Sequence, residues 1–221
     1  MKVLYEDNHI IIVAKEPGEI VQGDKTGDIP LSETVKQYIK ERYAKPGAVF
    51  LGVVHRLDRP VSGVVLFART SKALARLNEM FRDGKVQKTY WALVQTPPRQ
   101  PEGTLTHYLL RNERQNKSYA YATERQGAKR AVLDYRTVAH GEHHTLLEVR
   151  LHTGRHHQIR CQLAAIGSPI RGDLKYGAPR SNTDGSICLH ARSIAFEHPV
   201  SHKWIEATAP PPDSGYWRGL V

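Results

Sequence analysis

The chain has 221 residues, of which 40% are hydrophobic and 24% charged. That is long enough for one large domain or two small ones with a substantial core. No run of about 18 apolar residues occurs, which excludes a membrane-spanning helix. The net charge of +10 is unevenly placed: residues 1–54 carry 7 basic and 8 acidic side chains, residues 55–221 carry 25 and 14. A field of that sign favours a polyanion, nucleic acid first, although a merely basic protein would show the same total. Met1-Lys2-Val3-Leu4-Tyr5-Glu6-Asp7 turns acidic too early for a signal-peptide core. Cys161 and Cys188 are too few for a disulfide framework and lack zinc-site spacing, so a reducing, intracellular compartment is expected.

Residues 3–15 read as a strand, an Asp-Asn turn and a second strand, closed by Glu16-Pro17-Gly18. Between Pro30 and Tyr43, Leu31, Val35, Tyr38 and Ile39 recur at helical spacing, which predicts a surface helix ending near Pro46-Gly47. Two apolar runs follow, Val49 to Val54 and Val64 to Phe67, each predicted to be a buried strand. Between them lies His55-Arg56-Leu57-Asp58-Arg59-Pro60-Val61-Ser62-Gly63, a loop with a carboxylate between two arginines. Opposite charge nearby keeps a carboxylate ionised, and an ionised carboxylate can act as nucleophile or base. An Asp next to a turn proline can equally serve only its own backbone.

Thr70-Ser71 is a candidate helix start, Leu74, Leu77 and Phe81 share one helical face, and Gly84 sits at the C-terminal cap. Residues 87–94 alternate as a strand, with Tyr90 on the face of Ala92 and Val94, where a tyrosine can also be a packed aromatic. Residues 97–145 are polar and basic with short strand signals. Seven Lys or Arg and three acids lie between Arg111 and Arg136, with Tyr119 and Tyr121 interleaved. This stretch can grip phosphates and stack on bases, or be a solvated hairpin. After a strand over residues 146–151, the segment Arg155 to Ile166 reads as a helix with Ile159, Leu163 and Ile166 as its stripe and His156 and Arg160 on an adjacent shared face. A cation beside a core stripe needs a partner, and Asp58 is a candidate. Residues 172–177 read as a loop and residues 188–196 and 204–207 as late strands. Pro210-Pro211-Pro212 is expected to end the fold.

Several of these pieces together resemble the RluA-type pseudouridine synthases. The motif His55-Arg56-Leu57-Asp58 with Ser62-Gly63 is similar to that family's signature, as is Lys88-Thr89-Tyr90-Trp91-Ala92. So are Gly154-Arg155, His157-Gln158-Ile159-Arg160, Gly167-Ser168-Pro169-Ile170, Gly172-Asp173 and Tyr176-Gly177, then Leu189-His190-Ala191 with Phe196 and His198-Pro199. The blocks come in the family's order and span roughly residues 3–210. Departures stand at Val61, where the family usually has Thr, at Val64, where it has Leu, and at Gln162, where His is common.

The resemblance implies an α+β fold: one pseudouridine synthase catalytic domain over residues 1–221, with a central, mostly antiparallel mixed sheet flanked by helices. It implies the short form, without the small RNA-binding domain that many relatives carry in front. The implied activity is isomerisation of uridine to pseudouridine in ribosomal or transfer RNA, by a cytoplasmic monomer that needs no cofactor and no metal. Asp58 matches the catalytic aspartate, which either attacks the sugar or removes a ribose proton to give a glycal-like intermediate. Arg160 matches the arginine that pairs with it, and Tyr90 matches the tyrosine packed over the uracil. Arg56, His55, Lys88, Arg155 and Ile159 complete the implied substrate-binding set, with Arg56 able to fill the gap left by a flipped base. Two other readings stay open. One is a metal hydrolase built on His143, His144, His152, His156 and His157. The other is a non-catalytic RNA-binding module.

Overall fold

A computed structural model describes residues 1–220. In chain order the first elements are β1 (Lys2–Glu6), β2 (Ile10–Lys15), α1 (Leu31–Arg42), β3 (Gly52–Val53), β4 (Ser62–Ala68) and α2 (Ser71–Arg82). Then come β5 (Gln87–Val94), β6 (Glu102–Asn112), β7 (Lys117–Tyr121), β8 (Lys129–His140) and β9 (Thr145–Leu151). The chain closes with α3 (Gln158–Ala165), one turn of 3-10 helix (Leu174–Tyr176), β10 (Leu189–Glu197) and β11 (Trp204–Thr208). The class is α+β, with mostly antiparallel strands and flanking helices, as expected. The backbone clusters into two compact units, residues 1–86 with 191–211, and residues 87–190 with those from 212 on.

In the first unit the strand order is β1-β2-β4-β10, with β3 on β4 and β11 on β10. The β1–β2 turn closes because Asp7 Oδ1 accepts from the N–H groups of His9 (2.7 Å) and Ile10 (2.9 Å), the local bonding at which Asp excels. Ile10, Ile12, Val64 and Leu66 pack with Ala73 and Leu77 of α2, and the opposite-facing Ile11, Val13, Val65 and Phe67 are fully buried as well. Thr70 caps α2 through Ala73 N–H (3.2 Å), and Gly84 at φ 71° ends it, with Lys85 N–H returning to Met80 C=O (2.9 Å). Gly63 has φ 117°, and any Cβ there would run into the Ala191 backbone, so β4 and β10 approach as only glycine allows.

The apolar run before the Asp58 motif is not the buried strand expected. Only Gly52 and Val53 pair, opposite Ala68 and Phe67, and Phe50 is exposed. One edge of β4 belongs to β2 along its whole length, while the other is shared between β3 and β10. That leaves the run two residues of ladder.

In the second unit the order is β5-β9-β8-β6-β7. Within residues 97–145 only β7, of 5 residues, is as short as the strand signals suggest; β6 and β8 are 11 and 12 residues long. Their inner face, with Leu109 and Ala131, packs on Cys161 of α3 and on Tyr176. Their outer face sets Thr104, Thr106, Arg130, Asp134 and Arg136 among a few apolar and aromatic residues, and that dilutes the apolar signal along each strand. α3 starts three residues later than the spacing predicts, because His157 takes a left-handed conformation (φ 52°). His156 therefore lies outside the helix and shares no helical face with Arg160, and Ile166 is the cap residue rather than part of the stripe. The chain does not end its fold at the triproline: Trp217 is buried and Tyr216 lies under Arg171 (4.4 Å).

Candidate active site

The Asp58 loop follows from its anchors. Lys15 ends β2 on the face of Ile11 and Val13 and is only 1% exposed. Its Nζ donates to the carbonyls of Glu16 (3.0 Å), Arg59 (3.1 Å) and Val61 (2.6 Å). Gly18 N–H also reaches Arg59 C=O (2.8 Å), and Val61 N–H closes a turn on Asp58 C=O (3.0 Å). The backbone on the C-terminal side of Asp58 is thus held by one buried cation. Burial pushes the Lys15 ammonium down to about 8, and Glu19, Asp58 and Glu16 oppose that shift.

Arg59 is not the guard of Asp58 that its position suggests. Its guanidinium reaches Asp28 (2.6 Å) and Thr26 (2.9 Å) across the 24–28 loop. Arg56 is exposed. His55 Nε2 accepts from Leu66 N–H (3.0 Å) and its ring stacks on Phe81 at 5.1 Å, so it braces the loop against β4 and α2.

The second unit holds the other candidates. Tyr90 lies buried on β5 opposite Val149, in line with Tyr135 on β8. Lys88, half-buried on the same strand, has its ammonium pKa lowered by burial and lies beside Gly154. Arg155 is exposed and its Nε donates to Arg130 C=O (3.0 Å), while Ile159 is buried in α3. Arg160 is 5% exposed. Its Nε donates to Asp173 Oδ2 (2.7 Å) and its Nη2 to Asp173 Oδ1 (2.9 Å), and its guanidinium lies 5.1 Å from the Tyr176 ring centre. A two-pronged pair this dry fixes the guanidinium's orientation. Burial pushes the Tyr176 hydroxyl up, and that hydroxyl accepts from Ser118 N–H (2.8 Å).

Lys15 and Asp173 hold candidate site elements in place, and neither stood among the site residues expected from the sequence. The period-2 pattern already put Lys15 on a fully buried face, which is the signal that finds it. Asp173 stands in a motif, but nothing local in the sequence points to its partner.

The histidines are engaged separately: His152 Nε2 with Asp134 (2.6 Å), His144 with Arg171 (2.6 Å), His156 with Ser118 (2.8 Å) and Asn116 (3.1 Å), His157 with Tyr176 (2.9 Å). No group of three or more His, Cys, Asp or Glu suited to a metal ion occurs among the described residues. No helix there is long and apolar enough to cross a membrane.

Known proteins agree with this architecture. Residues 9–165 match the family described as RNA pseudouridylate synthase. The chain is 36% identical to ribosomal large subunit pseudouridine synthase D of Xanthomonas campestris pv. campestris, over 96% of its own length and 66% of that protein. It is 29% identical to the dual-specificity RNA pseudouridine synthase RluA of Pasteurella multocida, over 96% of this chain and 93% of that one. Human RNA pseudouridylate synthase domain containing 4 has the same fold, with a TM-score of 0.80 at 21% identity over 96% of this chain and 89% of that one. This chain belongs to the RNA pseudouridylate synthase family. It spans about two thirds of the length of the large-subunit relative.

A prediction follows from the Lys15 anchor. Lys15→Met is expected to lower kcat by roughly tenfold with KM little changed, because the loop loses position rather than contact area. Wild-type activity should fall as the pH rises through about 8, where the ammonium loses a proton and one of its three donors, and Lys15→Met should lack that fall. Stability moves the other way. A folded pKa below the usual 10.5 makes the buried charge costly at neutral pH, and that cost is relieved between about 8 and 10.5. Rate profiles from pH 7 to 9.5 check this, and a wild-type profile flat across pH 8 would refute it.

Proposed function

We propose that this chain isomerises specific uridines to pseudouridine in structured RNA, ribosomal or transfer, with Asp58, Tyr90 and Arg160 as its catalytic residues. The reading rests on one observation above others: the family match over residues 9–165 carries an acid, a phenol and a guanidinium at those three positions. Cleaving the glycosidic bond develops positive charge at the sugar. The Asp58 carboxylate meets it by attack or by removing a ribose proton. Asp173 fixes the orientation of the Arg160 guanidinium, which this reading assigns as the positive partner in the reaction. Tyr90 stacks on the uracil once the base has left its helix, as any enzyme working on a stacked base requires. Ile159 floors the base pocket. Lys88 and Arg155 hold phosphate, Arg56 fills the vacated stack, and His55 keeps the loop in place behind them. In this proposal the two units act as one catalytic domain, monomeric and cytoplasmic, without cofactor or metal. Relatives aligned over 96% of the chain support that scope.

The experiment is pseudouridine mapping of total RNA from cells with and without the protein. At least one site should vanish in its absence and return with the wild-type chain, and identical maps would end the proposal. Binding of the purified chain to that RNA should also weaken by roughly tenfold or more between 50 and 200 mM salt, as phosphate contacts require.

A further inference from the structure

We propose that the outer face of β6 and β7 is a stacking platform for a single-stranded segment of the RNA. This deepens the functional reading above and rests on it for the choice of polyanion. Tyr108 lies directly across from Tyr121, Leu110 across from Tyr119, and Tyr108 across from Arg130 on the next strand. Because side chains alternate along a strand, Tyr108, Tyr119, Tyr121, Leu110 and Arg130 share one face. The other face of the same strands carries Leu109, Ala120 and Ala131, packed on α3 and Tyr176. The tyrosine face is open: Tyr119 is 38% exposed and Arg130 is on the surface.

Cations frame these rings. The Arg125 guanidinium lies 4.1 Å from the Tyr121 ring centre, and the Lys117 ammonium lies 5.6 Å from that of Tyr119. Among the described residues no carboxylate forms an ion pair with Lys117, Arg125 or Arg130; of the acids near them in sequence, Glu113 and Glu124 are exposed and Asp134 is held by Thr104 and His152. The far end of the same sheet contrasts with this. There a cleft of about 590 Å³ sets Arg136 and Arg150 among Glu102, Asp134 and Glu148, with Glu148 reaching both guanidiniums at 2.9 and 3.5 Å. Only the tyrosine end offers uncompensated positive charge beside flat apolar surface, which is what phosphates and unstacked bases require together. Bases in a duplex already stack on one another, so the complementary form is a single strand.

The platform is also rigid. Ser118 N–H donates to Tyr176 Oη (2.8 Å), Cys161 Sγ donates to Ser118 C=O (3.2 Å), and His156 bonds the Asn116 side chain (3.1 Å). Lys175 Nζ holds the hairpin turn through Asn116 C=O (3.1 Å). All four restraints act on Asn116 and Ser118, so the strand that carries Tyr119 and Tyr121 is held in place before anything binds.

The test is fluorescence anisotropy with the full chain and a labelled 20-nucleotide single-stranded RNA of mixed sequence, against a duplex of equal length. The wild type should favour the single strand. Tyr119→Ala with Tyr121→Ala should weaken single-strand binding by roughly tenfold or more at unchanged salt dependence, whereas the Phe pair should bind as wild type. Arg125→Ala should reduce the salt slope by about 0.7. An Ala pair that melts as wild type and binds the single strand as tightly overturns the platform. So does competition by polyglutamate as effective as by unlabelled RNA, since the face would then read charge alone. If wild-type RNA maps showed no pseudouridine of this protein's making, the catalytic reading would fail while these binding results stood by themselves.

Discussion

Asp58→Asn is expected to abolish pseudouridine formation while leaving RNA affinity within about twofold. The substitution keeps shape and removes charge, while Lys15 still holds the loop through backbone carbonyls. Losing the group that attacks or deprotonates the sugar removes the carboxylate on which the reaction depends in this reading. The drop should be on the order of 10⁴-fold, the scale on which enzymes lose a nucleophile. Single-turnover assays on RNA from cells lacking the protein measure it. A variant that kept more than about 1% of the rate would take Asp58 out of the chemistry. A variant that still complements cells fully would favour the non-catalytic binding module.

Arg160→Ala should cost about two orders of magnitude in turnover, the size of losing a charge partner in the transition state. It should also leave Asp173, 1% exposed, as an unpaired buried carboxylate. Stranding one member of such a pair costs about 3–5 kcal/mol, or on the order of 10 °C in melting temperature for a chain of this size. Arg160→Met combined with Asp173→Asn separates the two effects. With neither charge buried alone, the melting temperature should recover most of its loss while turnover stays down. Recovery of both together would mean that Arg160 serves only the fold. Arg160→Lys should rescue neither, because an ammonium cannot make two parallel bonds to one carboxylate.

The parts of this protein that were legible in its sequence are those where a local rule decides. The Asx turn at Asp7, the Thr70 cap and the Gly84 stop each lie within a few residues of what they control, and each falls where expected. The Val49–Val54 run misleads because edge pairing on β4 is a long-range allocation that its own residues do not encode. α3 misleads for a similar reason. His157 accepts an unfavourable φ next to Tyr176, whose hydroxyl lies 2.9 Å from its Nδ1, and this contact spans 19 residues. At the candidate site, residue types were readable but partners were not. Arg59 looked like the neighbour of Asp58 and is committed to Asp28, while Lys15, 43 positions upstream, carries the loop.

The interleaving of the two units bears on how the chain is made. Residues 1–86 lack their closing strands until 191–211 emerge, and residues 87–190 lack Trp217 until the segment beyond 211 follows. Vectorial, amino-end-first folding of the first unit therefore waits until the whole of residues 87–190 has been made. Through that interval the nascent polypeptide carries β2 and β4, whose apolar faces are fully covered in the finished protein. Holdase chaperones that mask such strands have most to offer while the intervening residues are synthesised.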